Sequence, residues 1–184
     1  MHEFYTVAIN DISNLGELNL FDSKNFMIYK TDGFFSDVEA REKIAELYPN
    51  GISHHGRQYL HDQYHYVYDE KNTAFINHHA MIEITFELVR QAKFKDKPSR
   101  FESTFGCETL EEALKFRAER RNSNCKIYKV STDSYFKADM SLLSMGTIPG
   151  NMILAEKYWS GKSSLNPFWE ILLSAPVKIL HEVQ

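Results

Sequence analysis

The stretch that most constrains the fold is residues 99–130, because three elements can be recognised in it one after another. Residues 101–107 mix aromatic and hydroxyl-bearing side chains, a composition typical of a strand. Thr109 is followed three positions later by Glu112, which predicts a capping box at the start of a helix. Residues 125–130 then indicate a second strand. We therefore predict a strand, a helix and a strand, with ligand-facing hydroxyls on the first.

Capping and helix-breaking residues predict two further helices. Ser36, with Glu39 three positions later, starts the first, and the Pro-Asn-Gly run at 49–51 ends it. Residues 73–94 are predicted to form the longest helix, because apolar side chains recur there at every fourth position. The wide apolar face of that helix indicates that it is mostly buried.

Both ends of the chain indicate strands. The first covers residues 4–9, and a short second one is predicted at 25–29. Asn151 is predicted to cap a late helix, and residues 169–173 and 177–183 indicate two strands around a tight turn. Since strands and helices do not alternate strictly, the order favours an α+β fold over a doubly wound sheet.

Composition narrows the class of protein. A chain of 184 residues that is 43% apolar fits one domain over 1–184. The net charge of -4 argues against a dedicated nucleic-acid binder, which needs clustered cations. Cys107 and Cys125 are expected to be buried thiols in a reducing compartment. No signal peptide and no apolar run of about 20 residues is visible, so we expect a cytoplasmic protein without membrane contact.

Taken in order, four segments of the chain resemble the ADP-ribosyltransferase superfamily. They are the first strand at 4–7, the strand at 101–105 leading into the helix at 110–116, the strand at 125–130 with Ala-Asp-Met at 138–140, and the late strand at 169–180, which opens on Glu170. Through residues 55–59 and 98–103 the chain is also similar to a group of short bacterial and phage proteins of unknown function. The resemblance implies a mostly antiparallel, split sheet with flanking helices.

The resemblance also implies that the protein uses NAD to modify an acceptor, such as a protein, whose identity the sequence leaves open. Breaking the nicotinamide–ribose bond builds positive charge on the ribose, which a neighbouring carboxylate stabilises. Glu170 stands at the matching position and is the expected catalytic residue. Ser103 and Thr104, on the central strand, are expected to hold the ribose or to position the glutamate.

The first strand departs from the family's pattern, which usually presents an arginine or a histidine there. This chain offers Tyr5 and Thr6 at that place. Arg100, Arg57 or His55 would then supply the missing hydrogen-bond donor for the cofactor. The gap supports a second interpretation, in which the same fold is catalytically silent and holds a nucleotide or a protein.

The histidine-rich segment 54–65 supports a third interpretation. His61 and His65 are four residues apart, so on a helix they would share one face, as metal-binding histidines of zinc proteases do. A metal-dependent hydrolase built on these two histidines is therefore a further alternative. The same segment also fits a polar loop at the rim of a cleft, where His55 and Arg57 would contact a phosphate.

Each predicted site residue also has an ordinary structural interpretation. Glu170 fits a solvent-facing position at the start of a strand. Ser103 and Thr104 fit a strand without any ligand role. Arg100, close in sequence to Glu102, fits a surface ion pair, which contributes about 0–1 kcal/mol.

Overall fold

The structure, a computed structural model, describes residues 1–22, 35–60, 66–68, 74–76, 78–120 and 124–183. Its elements are β1 (His2–Ala8), β2 (Glu17–Leu18), α1 (Asp37–Leu47), α2 (His54–Leu60), β3 (Tyr66–Tyr68), β4 (Ala74–Ile76), α3 (His78–Lys93), β5 (Ser103–Gly106), α4 (Leu110–Arg120), β6 (Lys126–Thr132), β7 (Tyr135–Asp139), α5 (Ile148–Trp159), β8 (Trp169–Ser174) and β9 (Val177–Glu182). Two short 3-10 helices lie at Arg100–Glu102 and Met140–Leu142. The described residues thus form an α+β fold, as the sequence predicts.

Two antiparallel sheets lie at the centre of the fold. One has four strands in the order β1-β6-β9-β2, and the other has three in the order β5-β8-β7. A backbone bridge joins the edge strand β1 to the end of β5. In it the Tyr5 N–H donates to the Cys107 carbonyl at 2.9 Å, and the Cys107 N–H returns a bond to the Tyr5 carbonyl at 2.7 Å. The two sheets therefore meet where the predicted site residues of β1 and β5 lie.

Strand β8 is covered on both of its faces, which explains its unbroken Ile-Leu-Leu run. Leu172 points into a core formed with α3 and α5, where the Trp159 indole N–H donates to the Phe86 carbonyl at 2.8 Å. Ile171 and Leu173 point the other way, into a core formed with β1 and β6. Each of these buried side chains contributes about 1.5–3 kcal/mol to the free energy of unfolding.

Two predicted capping boxes are confirmed. The Ser36 Oγ accepts the Glu39 N–H at 3.1 Å, and the Glu39 carboxylate accepts the Ser36 N–H at 2.7 Å. The Thr109 Oγ1 accepts the Glu112 N–H at 3.2 Å, and the Glu112 carboxylate accepts the Thr109 N–H at 3.1 Å. Helix α1 ends at Leu47, before the predicted Pro-Asn-Gly break.

The predicted cap of the late helix is wrong. Thr147 caps α5, with its Oγ1 accepting the Gly150 N–H at 3.3 Å and Pro149 in the first turn. Asn151 lies inside the helix, where its Oδ1 accepts the Gly146 N–H at 2.7 Å. Proline favours the first turn because its missing N–H would have no partner there, and this moves the cap toward the N-terminus.

The predicted helix at 73–94 is too long at its start, and its buried face follows the flanking residues Ile82, Phe86 and Val89 of the predicted apolar face instead of the central stripe. Ala74–Ile76 is a strand paired with β3, and α3 begins at His78. Ile84 and Leu88 are 44% and 60% exposed, whereas Ile82 and Phe86 are buried. A spacing of four drifts by about 40° per step around a helix of 3.6 residues per turn, so a stripe built on it leaves the core.

Two other expectations are corrected close to the site. The strand predicted from residue 101 begins at Ser103, because Ser99 caps a 3-10 turn by accepting the Phe101 N–H at 3.1 Å. Residues 54–60 form α2 instead of a polar loop. The predicted strand at 25–29 lies outside the described residues. No helix in the described part of the chain has both the length and the apolar character needed to cross a membrane.

Candidate functional site

A cavity of about 540 Å³ opens beside β1, β5 and α2. Six of the predicted site residues line it, namely Thr6, His55, Arg100, Ser103, Thr104 and Glu170. Tyr5 does not line it and packs instead among the side chains beneath α4. Arg57 lies on α2 but is not part of the cavity wall. The wall also has an apolar section, formed by Ile9, Ile12, Leu15, Leu18 and Phe21.

Glu170 is buried, so the expectation of a solvent-facing carboxylate is wrong. In β8 it lies on the same face as Leu172, which is the face packed against α3 and α5. Its Oε1 accepts hydrogen bonds from the Tyr158 hydroxyl at 2.7 Å and from Arg100 Nη1 at 2.5 Å. Oε2 accepts no hydrogen bond from any described residue, and Glu170 lines the cavity. The carboxylate is therefore oriented through one oxygen while the other stays available.

Arg100 is also buried, which corrects the expectation of a surface ion pair with Glu102. Its Nε donates to Glu83 Oε2 at 2.9 Å and its Nη2 to Glu83 Oε1 at 3.0 Å, a two-point contact. Its Nη1 donates to the Tyr158 hydroxyl oxygen and to Glu170 Oε1. A buried guanidinium is tolerated because carboxylates balance its charge and accept its protons. Arg100 is therefore committed to holding these groups in place.

The environment fixes the protonation of three groups in this cluster, Glu83, Arg100 and Tyr158. Burial opposes ionisation of Glu83, but Arg100 and then His55 hold the pKa of its carboxyl well below the usual range. Burial alone would lower the pKa of Arg100, whereas Glu170 and Glu83 raise it well above the ordinary value. Burial raises the pKa of the Tyr158 phenol well above its usual range. Tyr158 therefore stays protonated and remains a hydrogen-bond donor to Glu170.

The predicted hydroxyls of β5 are divided between two faces. Ser103 pairs with Ser174 and Thr104 with Leu173, so Ser103 shares the face of Glu170 and Thr104 lies on the opposite face. The Ser103 hydroxyl is buried and donates to the Ser99 carbonyl at 2.7 Å. Adjacent strand residues point to opposite faces, so the two hydroxyls do not face the carboxylate together.

The two threonines of the cavity wall differ in what their hydroxyls already bind. The Thr6 Oγ1 donates to the Phe105 carbonyl at 2.7 Å, which holds β1 against β5. The Thr104 hydroxyl is half-buried and makes no hydrogen bond with the described residues. Thr104 is therefore the predicted hydroxyl that is free to bind a ligand.

His55 completes the buried cluster from α2. Its Nε2 lies 3.1 Å from Glu83 Oε1. Its ring centroid lies 4.9 Å from those of Phe105 and Tyr59, with Phe105 edge-on. The guanidinium of Arg100 lies over the same Phe105 ring, 4.7 Å from its centroid. One aromatic side chain thus contacts both basic groups at the cavity wall.

Sequence reasoning did not assign Glu83 or the structural task of Tyr158. A usable signal existed for Glu83, which stands between Ile82 and Ile84 in a segment predicted to be buried. A buried acid needs a cationic partner, so a glutamate inside an apolar stripe predicts a buried arginine or lysine nearby. The cation that pairs with Glu83 is Arg100, which lies 17 residues away in the chain. A local sequence pattern cannot identify a partner at that distance.

A protein-family model matches residues 10–184, which is most of the chain. The chain belongs to the DUF2441 family. The description of this family is "Protein of unknown function (DUF2441)", and it names no activity. No curated protein matches the chain. The part shared with DUF2441 contains the cluster of His55, Glu83, Arg100 and Glu170, whereas β1 precedes it.

The alternative of a metal site cannot be placed on this structure. His61 and His65 lie outside the described residues. Within the described ranges, no three His, Cys, Asp or Glu side chains come together in a way that could hold a metal ion. The hydrolase alternative built on the two histidines therefore stays a prediction.

Proposed function

We propose that this DUF2441 protein is an ADP-ribosyltransferase-like enzyme that binds NAD in the cavity and transfers ADP-ribose to an acceptor. The observation that carries the proposal is the state of Glu170, whose Oε1 is held by Arg100 and Tyr158 while Oε2 accepts no hydrogen bond from the described residues. A carboxylate fixed in this way can accept a hydrogen bond from a ribose hydroxyl and stabilise positive charge on the sugar.

The size and lining of the cavity support the same proposal. A volume of about 540 Å³ is within the range of about 300–1,000 Å³ that is common for small-molecule sites. The wall combines an apolar section, suited to a flat base, with the polar groups of Thr104, His55 and Glu170. A dinucleotide has the same combination of flat rings and sugar hydroxyls.

The arrangement of the sheets supports the finer fold assignment. Two antiparallel sheets meet at β1 and β5, and the cavity opens beside that junction. Two sheets that meet in this way support the split sheet that the resemblance implies. Cys107 and Cys125 are buried and do not form a disulfide with each other, which supports the expected cytoplasmic location, where thiols stay reduced.

One observation favours a second candidate, a catalytically silent module that binds the nucleotide. Arg100 pairs directly with Glu170, which is buried. A guanidinium so close offsets part of the negative charge that would stabilise an oxocarbenium-like ribose. The silent module predicts NAD binding without bond cleavage, so the two candidates differ in a measurable product.

The test is incubation of the pure protein with NAD carrying a labelled adenylate, with and without cell lysate, while released nicotinamide and transferred label are measured. Glu170→Gln keeps the shape of the side chain and its contact with Tyr158 but removes the charge. We expect the wild type to release nicotinamide and Glu170→Gln to lose at least about 10²-fold in rate, as charge-stabilising groups do.

Glu87→Gln is the matched control, because Glu87, on α3, is also a buried carboxylate that pairs with an arginine but does not line the cavity. It should release nicotinamide at the wild-type rate in conditions where it is folded. Calorimetric binding of NAD with no release by wild type would favour the silent module. Neither binding nor release would rule out both candidates.

A further inference from the structure

The imidazole of His55 is fixed at the cavity wall by the start of α2. The Ser53 N–H donates to the Phe101 carbonyl at 2.7 Å, and the Ser53 Oγ accepts the Gly56 N–H at 3.1 Å. Gly56 allows α2 to approach Phe101 closely, since a Cβ at this position would lie 2.3 Å from the Phe101 carbonyl oxygen. A larger residue at 56 would push the helix, and His55 with it, away from the cluster.

The contact with Glu83 determines which ring nitrogen carries the proton. His55 Nε2 is buried and lies 3.1 Å from Glu83 Oε1, a close polar contact that lacks the geometry of a hydrogen bond. A lone pair on Nε2 would be repelled by the carboxylate, so Nε2 carries hydrogen and Nδ1 carries the lone pair. Nδ1 makes no hydrogen bond with the described residues, and His55 lines the cavity.

Glu83 is suited to orient the imidazole without taking its proton. Arg100 binds both oxygens of Glu83, at 2.9 and 3.0 Å. This two-point contact keeps the carboxylate ionised and fixes its plane. A fixed negative charge beside Nε2 stabilises the imidazolium that forms when Nδ1 accepts a proton. The contacts are those of a base oriented by a carboxylate.

We propose that His55 is the proton acceptor of the transfer reaction, that Glu83 positions it, and that the acceptor substrate therefore presents a hydroxyl group. This inference rests on the proposed function. In the step, the acceptor oxygen forms a bond to ribose C1′ as the bond from C1′ to the nicotinamide nitrogen breaks. Nicotinamide leaves as a neutral molecule with the bonding electron pair, and the hydroxyl proton passes to His55 Nδ1 and then to solvent.

The class of acceptor follows from the strength of the base. A hydroxyl is a poor nucleophile until a base takes its proton, and an imidazole does this well near neutral pH. A guanidinium keeps its proton at any such pH, and an imidazole is far too weak to remove it. A site that uses His55 in this way therefore favours alcohols and water over guanidines.

The kinetic test supplies NAD with methanol as the alcohol probe and agmatine as the guanidine probe. His55→Gln places an amide where Nε2 lies, so it keeps a donor for Glu83 but removes the base. We expect it to bind NAD within about threefold of wild type and to form methyl ADP-ribose about 10²–10⁴-fold more slowly. The matched control His181→Gln, at an exposed position of β9, should behave as wild type.

Nitrogen NMR of the imidazole tests the pairing with Glu83 without any substrate. We expect a protonated Nε2 and an unprotonated Nδ1 in His55 of the wild type, and a loss of this preference in Glu83→Gln. An unprotonated Nε2 in the wild type would overturn the proposal, as would His55→Gln forming methyl ADP-ribose at the wild-type rate or agmatine serving as the better acceptor.

Failure of the proposed function has a different signature. In that case the wild type shows the expected imidazole protonation but neither binds NAD nor releases nicotinamide. This result would overturn the role of His55 in NAD chemistry together with the proposed function, and the orienting contact between Glu83 and His55 would stand.

Discussion

Two buried arginine–carboxylate clusters lie one helical turn apart on α3, and they differ in how fully their acids are used. In the saturated cluster, both oxygens of Glu87 accept hydrogen bonds, from Tyr48, Arg90, Gln91 and Ser99. In the cavity cluster of His55, Glu83, Arg100, Tyr158 and Glu170, the second oxygen of Glu170 accepts none from the described residues. The first cluster is complete without a ligand, and the second is not.

The comparison shows how a buried charged cluster that only stabilises the fold differs from one that can bind a ligand. Both clusters contain a buried carboxyl group beside a guanidinium, so burial and ion pairing alone do not distinguish them. What distinguishes them is unused hydrogen-bonding capacity next to a cavity, since none of the saturated cluster lines the 540 Å³ space. Unused capacity in a polar group at a cavity wall is what a ligand binds.

Removing the central cation of the cavity cluster should have the largest effect on stability. Arg100→Met leaves Glu83 and Glu170 buried without a cation, which costs about 3–5 kcal/mol in the free energy of unfolding. Urea unfolding at neutral pH measures this. The control Lys93→Met breaks the exposed pair with Glu156 and should cost less than about 1 kcal/mol. Similar losses in both variants would contradict the assignment of Arg100 as the centre of the cluster.

Replacing each glutamate by glutamine should mainly reduce stability in the saturated cluster and mainly reduce turnover in the cavity cluster. Glu87→Gln disturbs a carboxylate with both oxygens bonded and should cost about 1–3 kcal/mol in stability, with NAD binding unchanged. Glu170→Gln disturbs one bonded oxygen and should cost less in stability, while it lowers the rate of nicotinamide release at least about 10²-fold. Unfolding and nicotinamide release measured on the same samples show whether the two effects differ in this way. A larger stability loss for Glu170→Gln than for Glu87→Gln would contradict the comparison.

Acidification should weaken the cavity cluster through Glu83. The pKa of this carboxyl is lower in the folded protein than its ordinary value of 4.5. Its contribution to stability is therefore present above about pH 4.5 and is lost as the pH falls toward the folded-state pKa. Urea midpoints at pH 7, 5, 4 and 3 should fall more steeply in wild type than in Glu83→Gln. Equal slopes would mean that Glu83 is not held in its ionised form by Arg100 and His55.

The smallest expected effects on stability come from removing the two hydroxyls of β5, and they should differ between Ser103 and Thr104. Ser103→Ala removes a buried hydrogen bond to the Ser99 carbonyl and should cost about 1 kcal/mol in stability. Thr104→Val keeps the shape of a hydroxyl that has no described partner and should leave stability within about 0.5 kcal/mol of wild type. Thermal unfolding with and without NAD measures both. If Thr104→Val alone loses the stabilisation by NAD, the hydroxyl of Thr104 contacts the ligand.

Local features of the fold could be predicted from the sequence, because they depend on neighbouring residues. The capping boxes at Ser36 and Thr109 need only a partner three positions away, and both are present. The strands β1, β8 and β9 were recognised from their apolar and β-branched content. Helix α2 was missed, because its packing depends on Gly56 meeting Phe101 from a distant part of the chain.

The candidate site was predicted only in part, because its geometry depends on residues that are far apart in the chain. The resemblance to ADP-ribosyltransferases implied roles for Glu170, Arg100 and His55, and all three line the cavity. The sequence could not show that Arg100 pairs with Glu170, since 70 residues separate them in the chain. The sequence also could not show which face of the sheet Ser103 and Thr104 each occupy, because that depends on the register of β5 and β8. Long-range pairing therefore changed the expected role of Arg100 from cofactor binding to positioning.

The most direct test of the account is a crystal structure of wild type and of Glu87→Gln soaked with an NAD analogue whose nicotinamide–ribose bond cannot be cleaved. The account predicts nucleotide in the cavity beside β1 and β5 in both proteins, with a ribose hydroxyl oxygen about 2.6–3.2 Å from Glu170 Oε2 and Arg100 still on Oε1. Nucleotide bound elsewhere, or a Glu170 whose two oxygens are both occupied by Arg100 and Tyr158 while the analogue is bound, would contradict it.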